Sequence, residues 1–516
     1  MSSRTFDFVL AGLSGLLLVF SFPTLGHPAC AWIALAPLIV ASSRGSLSRA
    51  FLLGVTTGAV YFGGTLYWLA RVMIVYGNLE PWIGIPVNIA LVAVLALFPG
   101  AFAFTHRSLF RAYGRRALLA VPLIWAATEL ARTYVMSGFP WVLLGYSQTS
   151  VLSVAQFASI VGVYGLGGLV SAVNAAAAAA ALREPSADST SPSTRLSMFA
   201  PLAVSVFAVV LVAIWGGRRI AAGELTSSGT PVKVGLLQGN VDQAEKWDVA
   251  RASAIFDDYL RLTREAIDRG ASLVIWPESS TPFYFEEDPA GAEMIRTIAR
   301  EKHVSIIVGS NQIEHTTPPR YFNAAFMVRP DGSTAGVYRK MHLVPFGEYV
   351  PLKQLFFFAN HLVEAVSDFT PGTVPIVMPV DGHNVSVAIC YEIVYPDLVR
   401  QYVRRGSELL TTITNDAWFG PTSAPYQHFE QAAMRAIEEG RYLVRAANTG
   451  ISGIVDPYGR VLAQSPLYQP LVVVGEARYL QQATMYSRIG DLFAYLSAAV
   501  SVALLLQSRP WRPSTN

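Results

Sequence analysis

A bundle of about eight apolar helices joined to a water-facing, layered α/β domain is the fold predicted for this chain. Three observations predict it. Charged residues make up only 14% of the 516 residues and hydrophobic ones 52%, whereas about 25% charged is usual for a soluble protein. The deficit is uneven: residues 1–215 hold few charges, and 232–480 carry a normal load. In that second stretch short β-branched runs alternate with amphipathic helical ones, as layered α/β folds require.

The apolar runs, measured against the ~20 residues that cross a bilayer as helix, predict spans near 7–24, 28–42, 51–70, 83–105, 117–135, 152–181, 199–216 and 490–507. The first reads as a retained span, because Phe22-Pro23-Thr24 follows it and not a small-x-small cleavage site. The domain boundaries expected are 1–216 for the first seven spans, 220–485 for the α/β domain, 487–507 for the last span and 508–516 for a tail. Arginines in the short loops, Arg44, Arg49, Arg107, Arg111, Arg115 and Arg116 among them, favour a cytoplasmic N-terminus by roughly two to one. Both termini are then cytoplasmic and the α/β domain faces outward. The alanine run Ala175–Ala181 allows close helix packing. Glu129 lies inside the fifth span, where an acid suggests function or a partner, with Arg132 one turn on.

The α/β domain is expected to place strands at Val232–Leu237, Ser272–Trp276, Val304–Val308, Ala324–Val328, Val385–Ile389, Leu409–Ile413 and Leu471–Val474, with helices at 249–268 and 289–302. Three reactive residues each fall just past a strand: Glu278 after Ser272–Trp276, Lys340 after Thr334–Arg339, and Cys390 after Val385–Ile389. Layered α/β folds assemble their sites at that edge. A carboxylate can take the proton of a thiol, an ammonium lowers its pKa, and the thiolate attacks an acyl carbonyl. A fixed Lys⁺ also stabilises the oxyanion that forms. Taken singly, each residue is more often packing or a solvated charge.

Other chemistries lack support. Two cysteines, Cys30 and Cys390, exclude a disulfide framework. His342, His361 and His428 are too scattered for a metal site. No nucleotide-binding pattern or Ser-His-Asp set is evident, and no cofactor is expected. A net charge of +3 without a basic run gives nucleic acid no foothold.

The neighbours of the three residues add a resemblance. Trp276-Pro277-Glu278, the run Tyr338-Arg339-Lys340 through Phe346-Gly347-Glu348, Ala388-Ile389-Cys390-Tyr391-Glu392 and Asn415-Asp416-Ala417-Trp418-Phe419-Gly420 together resemble the carbon–nitrogen hydrolase (nitrilase) superfamily. With eight spans around it, the whole chain resembles the membrane branch of that superfamily, the apolipoprotein N-acyltransferases. The resemblance implies an α-β-β-α sandwich on the periplasmic side of a bacterial inner membrane. It implies acyl transfer from a phospholipid, phosphatidylethanolamine first among them, to a diacylglyceryl apolipoprotein acceptor through a Cys thioester. Position by position it implies Cys390 as nucleophile, Glu278 as general base and Lys340 as oxyanion stabiliser. It further implies Glu348 as a second acid that holds Lys340 or the substrate amine, with Tyr391, Glu392 and Trp418 lining the pocket, Asn415 in the fourth motif, and Trp247 on a lipid-contacting loop. The run Leu355-Phe356-Phe357-Phe358 reads as a lid or acyl guide, or equally as core. Two rivals are a membrane-anchored amidase acting on a small substrate, for which eight spans are excessive, and a transporter with a decayed domain, which the intact Glu278, Lys340 and Cys390 oppose.

Overall fold

The computed structural model describes residues 3–24, 26–77, 79–182, 192–243, 246, 248–345, 347–349 and 368–508. They form two compact units. One comprises Met1–Tyr67, Ile85–Ala222 and Ile489–Asn516, and the other Trp68–Gly84 and Gly223–Arg488. Trp247, the Leu355–Phe358 run and His361 lie outside the described residues.

The first unit is helical. Its main helices are Ser3–Val19, Leu47–Thr65, Pro81–Tyr113, Val121–Tyr134, Ala158–Ala181, Pro192–Ala222 and Leu492–Gln507. Among the described residues three helical stretches are long and apolar enough to cross a membrane, Pro81–Ser137, Ala158–Ala181 and Ala200–Ser227. A fourth counts if the bent pair Leu47–Thr65 and Trp68–Tyr76 is one span. Eight were expected; the helices over 7–24 and 490–507 form but are only 17 and 16 residues long, and the other differences have local causes. Pro81–Ser137 covers two expected spans in one 57-residue stretch. The expected 28–42 span is broken into short turns around Pro28 and Pro37, where Asn174 Oδ1 accepts the freed N–H groups of Leu35 and Ala36 at 2.8 and 3.1 Å. The expected 51–70 span ends at Thr65 and the chain turns by 53°. The expected 152–181 span begins helically only as far as Ala155, and Gly162 then kinks the helix from Ala158 with φ +70°. Glu129 and Arg132 do not pair directly. Glu129 accepts from the Leu144 N–H at 2.7 Å, and Arg132 donates to the carbonyls of Phe139 and Trp141 at 2.9 and 2.6 Å.

The second unit contains two six-stranded sheets. The first, in order β12-β1-β2-β3-β4-β5, uses β1 (Thr230–Gln238), β2 (Leu273–Ile275), β3 (Ser305–Glu314), β4 (Arg320–Val328), β5 (Thr334–Arg339) and β12 (Leu471–Tyr479). The second, β11-β10-β9-β8-β7-β6, uses β6 (Val377–Val380), β7 (His383–Ile389), β8 (Leu409–Thr414), β9 (Leu443–Ala447), β10 (Gly453–Val455) and β11 (Val461–Gln464). Strands β1, β2 and β3 run parallel, as do β7, β8 and β9. Parallel order leaves three successive strand ends at one edge of each sheet, which is where a site is built.

Helices cover the outer faces. Val249–Asp268 starts where Asp248 caps the Ala250 N–H at 2.9 Å, and Pro289–Lys302 where Asp288 caps Gly291 at 3.0 Å. Their apolar sides bury Ile255, Tyr259, Leu262, Ile295 and Ala299 against Val274, Trp276 and Val308 of the first sheet. Pro396–Arg404 and Ala424–Glu439 belong to the second half.

Candidate active site

Three strand ends present the predicted residues. After β2 the chain turns through Trp276-Pro277-Glu278. Trp276 is fully buried and its indole donates to Thr263 Oγ1 at 3.0 Å, anchoring the turn. β3 passes so close that a Cβ on Gly309 would lie 2.1 Å from the Pro277 carbonyl, so only glycine fits. After β7 comes Cys390 at φ +54°, a left-handed conformation at the first residue of a short helical turn, Cys390–Val394. Such strain is maintained only where the surroundings enforce it, and it clusters at functional sites.

The polar groups interlock. Lys340 Nζ, 1% exposed, donates to Glu278 Oε1 at 3.2 Å and Glu348 Oε1 at 2.8 Å. Asn323 Nδ2, from the middle of β4, bridges the same two carboxylates at 2.7 and 2.9 Å. Glu278 Oε2 accepts the Asn415 N–H at 2.9 Å, and Glu348 Oε2 the Val344 N–H at 2.8 Å. Lys246 Nζ donates to the Glu278 carbonyl at 3.1 Å.

These contacts set the charges. Burial alone would raise Glu278, but Lys340, Lys246 and the Asn323 hydrogen bond outweigh it and hold the carboxyl below its ordinary range. Burial opposes charge on Lys340, yet Glu278 and Glu348 keep its ammonium well above the ordinary value. Burial, opposed by Glu278 and Cys390, brings Lys246 down to about 8. Cys390 differs from the expectation of an ammonium-lowered thiol: burial first, and the Glu278 charge second, push it up despite Lys340. The resting site therefore holds an ionised Glu278, a charged Lys340 and a neutral thiol.

The supporting residues take distinct places. Tyr391 stacks edge-on to Tyr395 with ring centres 5.2 Å apart. Trp418 meets the edge of Tyr76 at 5.5 Å, and Phe419 that of Trp68 at 4.9 Å, both within the second unit. Asn415 adds to its Glu278 contact a side-chain bond to Gln243 Oε1 at 2.6 Å. Glu392 has both carboxylate oxygens facing protein donors. It is fully buried, with Oε1 accepting from Tyr338 OH at 2.7 Å and the N–H groups of Met341 and His342 at 2.6 and 3.1 Å, and Oε2 accepting from Ile389 N–H at 2.7 Å. It thus ties the turn after Lys340 to the strand end before Cys390.

Asn323, Lys246, Asp416, His428 and Arg445 were not singled out from the sequence as site residues. Asp416 sits in the fourth motif and bonds Arg445 Nη2 at 2.7 Å. His428 Nδ1 lies 3.0 Å from both Asp416 Oδ1 and Arg445 Nη2, and its Nε2 lies 3.2 Å from the Cys390 carbonyl. Burial first, and Arg445 second, lower the pKa of His428, against Asp416 and the Cys390 carbonyl. Among the described residues no group of three or more His, Cys, Asp or Glu is arranged to hold a metal.

Lys246 gives a test of this electrostatic picture. Its charge favours ionised Glu278, so Lys246→Met should raise the carboxyl's pKa and move the acid limb of Cys390 acylation to higher pH. Acylation measured below neutrality should fall several-fold while the neutral plateau changes less. An unmoved acid limb would remove Lys246 from the site's charge balance.

The fold and this constellation define a carbon–nitrogen hydrolase domain joined to a bundle of apolar helices. Residues 233–479 match the family of that name, carbon-nitrogen hydrolase, and residues 14–176 match the apolipoprotein N-acyltransferase N-terminal domain. Along its full length the chain is 40% identical to an apolipoprotein N-acyltransferase of Geobacter metallireducens, covering 98% of this chain and 96% of the relative. It is 34% identical to one of Methylococcus capsulatus, covering 94% and 92%. An amidase of the nitrilase superfamily from Nesterenkonia, known from a solved structure, aligns over 49% of this chain and 92% of its own at 22% identity and a TM-score of 0.37. The chain belongs to the apolipoprotein N-acyltransferase family, and it is an enzyme of acyl transfer.

Proposed function

We propose that this protein moves an acyl chain from a membrane phospholipid to the N-terminal α-amine of the S-diacylglyceryl cysteine of apolipoproteins, with Cys390 carrying the chain between them. The observation that supports it most is the buried Lys340 bonded to both Glu278 and Glu348, on a chain that also holds Cys390 at a strained strand end.

In the first half-reaction Glu278 takes the thiol proton as Sγ bonds to the acyl carbonyl carbon. Because the resting thiol is neutral, the thiolate forms only in step with attack on a seated ester. Lys340 balances the charge that grows on the carbonyl oxygen. The C–O bond to glycerol then breaks, and Glu278 returns its proton to the departing lysophospholipid. In the second half-reaction the acceptor amine attacks the thioester, Glu278 takes the amine proton, the C–S bond breaks and the thiolate is reprotonated. This is a ping-pong scheme with one covalent intermediate. The donor we favour is the sn-1 chain of phosphatidylethanolamine. The helices cross a bacterial inner membrane eight times, with the catalytic unit periplasmic and both termini cytoplasmic, a reading supported by the arginine bias.

The test uses purified protein and phosphatidylethanolamine carrying a labelled sn-1 chain. The expected result is a hydroxylamine-sensitive adduct on Cys390, located by peptide mapping and absent from Cys390→Ala. A folded protein with an intact thiol and no adduct would overturn the phospholipid donor and favour an anchored amidase.

A further inference from the structure

Far from the thiol, the second unit holds a cleft of about 640 Å³ whose walls include Arg404, Arg441 and Arg488. Asn384 at the start of β7 lines it, whereas Cys390 follows the end of that strand. The two sites are thus separated by the length of β7, roughly 20 Å at 3.3 Å per residue.

The lining carries three arginines against one acid. Arg441 is only 3% exposed, and its Nε and Nη1 are spent on neutral carbonyls, Ser407 at 3.0 Å, Gly440 at 3.3 Å, Glu439 at 3.4 Å and Gln482. Its Nη2 has no protein acceptor among the described residues. Arg404 and Arg488 are exposed, and neither forms an ion pair among the described residues. Burial brings Arg441 down to about 10, against the charges of Glu439 and Glu408, and both of those acids also hold other partners. Glu408, the one acid in the lining, accepts from His383 Nδ1 at 2.7 Å, and Glu439 accepts from Ser487 Oγ at 2.7 Å and is pushed up to about 7 by burial.

Chain continuity ties the cleft to the apolar helices. Arg488 stands four residues before the apolar helix that starts at Leu492, at most about 14 Å of extended chain. Leu225, three residues after the apolar helix ending at Ala222, packs near Gly440, next to Arg441. The chain thus leaves for the apolar helices within a few residues of the cleft's lining or of its neighbours. Guanidinium groups bind phosphate through paired N–H donors, and basic pockets beside membrane helices take anionic headgroups. The lining holds no aromatic ring on which a nucleotide base would stack.

We propose that this cleft binds the phosphate of an anionic membrane phospholipid through Arg404, Arg441 and Arg488, at a site separate from the acyl-transfer centre. The experiment places full-length protein in nanodiscs of phosphatidylcholine doped with phosphatidylglycerol and reads the retained lipids by native mass spectrometry. Wild type should retain phosphatidylglycerol preferentially. With a basic side chain near an anionic surface contributing roughly a factor of five, the double variant Arg404→Gln, Arg488→Gln should lose about twentyfold of that preference. The Cys390 adduct from labelled phosphatidylethanolamine, measured in the same samples, reports folding and the catalytic reading separately. A double variant with undiminished preference overturns the proposal, and so does displacement of the lipid by inorganic phosphate alone, which would mark a soluble-anion site. On wild type alone, the preference should weaken as salt rises, and a salt-insensitive preference overturns the proposal as well.

Discussion

Glu278→Gln should slow acylation of Cys390 by about 10²–10⁴-fold, the usual loss when a positioned general base is removed. The substitution keeps size and shape. It cannot keep the hydrogen bonds. Glu278 accepts on both oxygens, from Asn323 and Lys340 on Oε1 and from Asn415 N–H on Oε2. A glutamine turned either way sets its NH₂ against one of those donors, at about 1–3 kcal/mol. Lys340→Met removes the opposite member. Two carboxylates, Glu278 and Glu348, then share Asn323 Nδ2 without a cation between them. Removing the cation takes away what favours the ionised Glu278 most, so the base is impaired along with the oxyanion partner. Rapid-quench labelling from phosphatidylethanolamine, with thermal stability followed in parallel, separates chemistry from folding. Acylation within tenfold of wild type in either variant would sink the roles assigned here.

Sign and direction follow for pH as well. Glu278 is held below the ordinary carboxylate range, so it remains a base through neutrality and loses that role only as pH falls through its depressed pKa. Lys340, raised well above its ordinary value, keeps its charge throughout the working range. The acid limb of the first half-reaction should therefore belong to Glu278 and the plateau should extend through pH 7.

Why Glu278, Lys340 and Cys390 were legible and Asn323 was not is a matter of position. Each of the three follows a strand that its own β-branched run announces, and each sits in a contiguous motif. Asn323 lies inside β4 between Phe322 and Ala324, where nothing local separates a bridging amide from a solvated one. Strand β9 was missed because Arg445 interrupts Leu443–Ala447, and a charge in a short run argues against a buried strand. The arginine is tolerated because Asp416 reaches it from the end of β8, a pairing across strands that sequence distance conceals. The end of the third apolar run was hidden for the opposite reason. Trp68 and Tyr76 are as apolar as lipid-facing residues, yet they pack edge-on against Phe419 and Trp418 in the second unit. An aromatic side chain meets protein or acyl chain equally well, so composition alone extended the span to residue 70.

Asp416→Ala should be the most destabilising of the single changes beside the thiol, by about 3–5 kcal/mol. Asp416, Arg445 and His428 are wholly buried, and the carboxylate is held far below its ordinary range, with burial outweighed by Arg445 and His428. Removing it leaves the Arg445 guanidinium buried without a counter-charge, and breaking a buried pair from one side costs far more than the pair contributes. Arg445→Met together with Asp416→Ala should recover part of the loss, because no unpaired charge then remains. The depressed folded-state pKa of Asp416 contributes stability above the ordinary aspartate value, lost as pH falls toward the folded-state one. The damage should also reach the thiol. His428 has Nε2 within 3.2 Å of the Cys390 carbonyl and Nδ1 within 3.0 Å of Asp416 and Arg445, so the pair orients the ring that braces a residue held at φ +54°. Chemical denaturation gives the stability change, and the acylation rate of the folded fraction gives the effect on Cys390. A loss below about 1 kcal/mol would mean that water reaches Arg445 and that the network contributes little to holding the nucleophile.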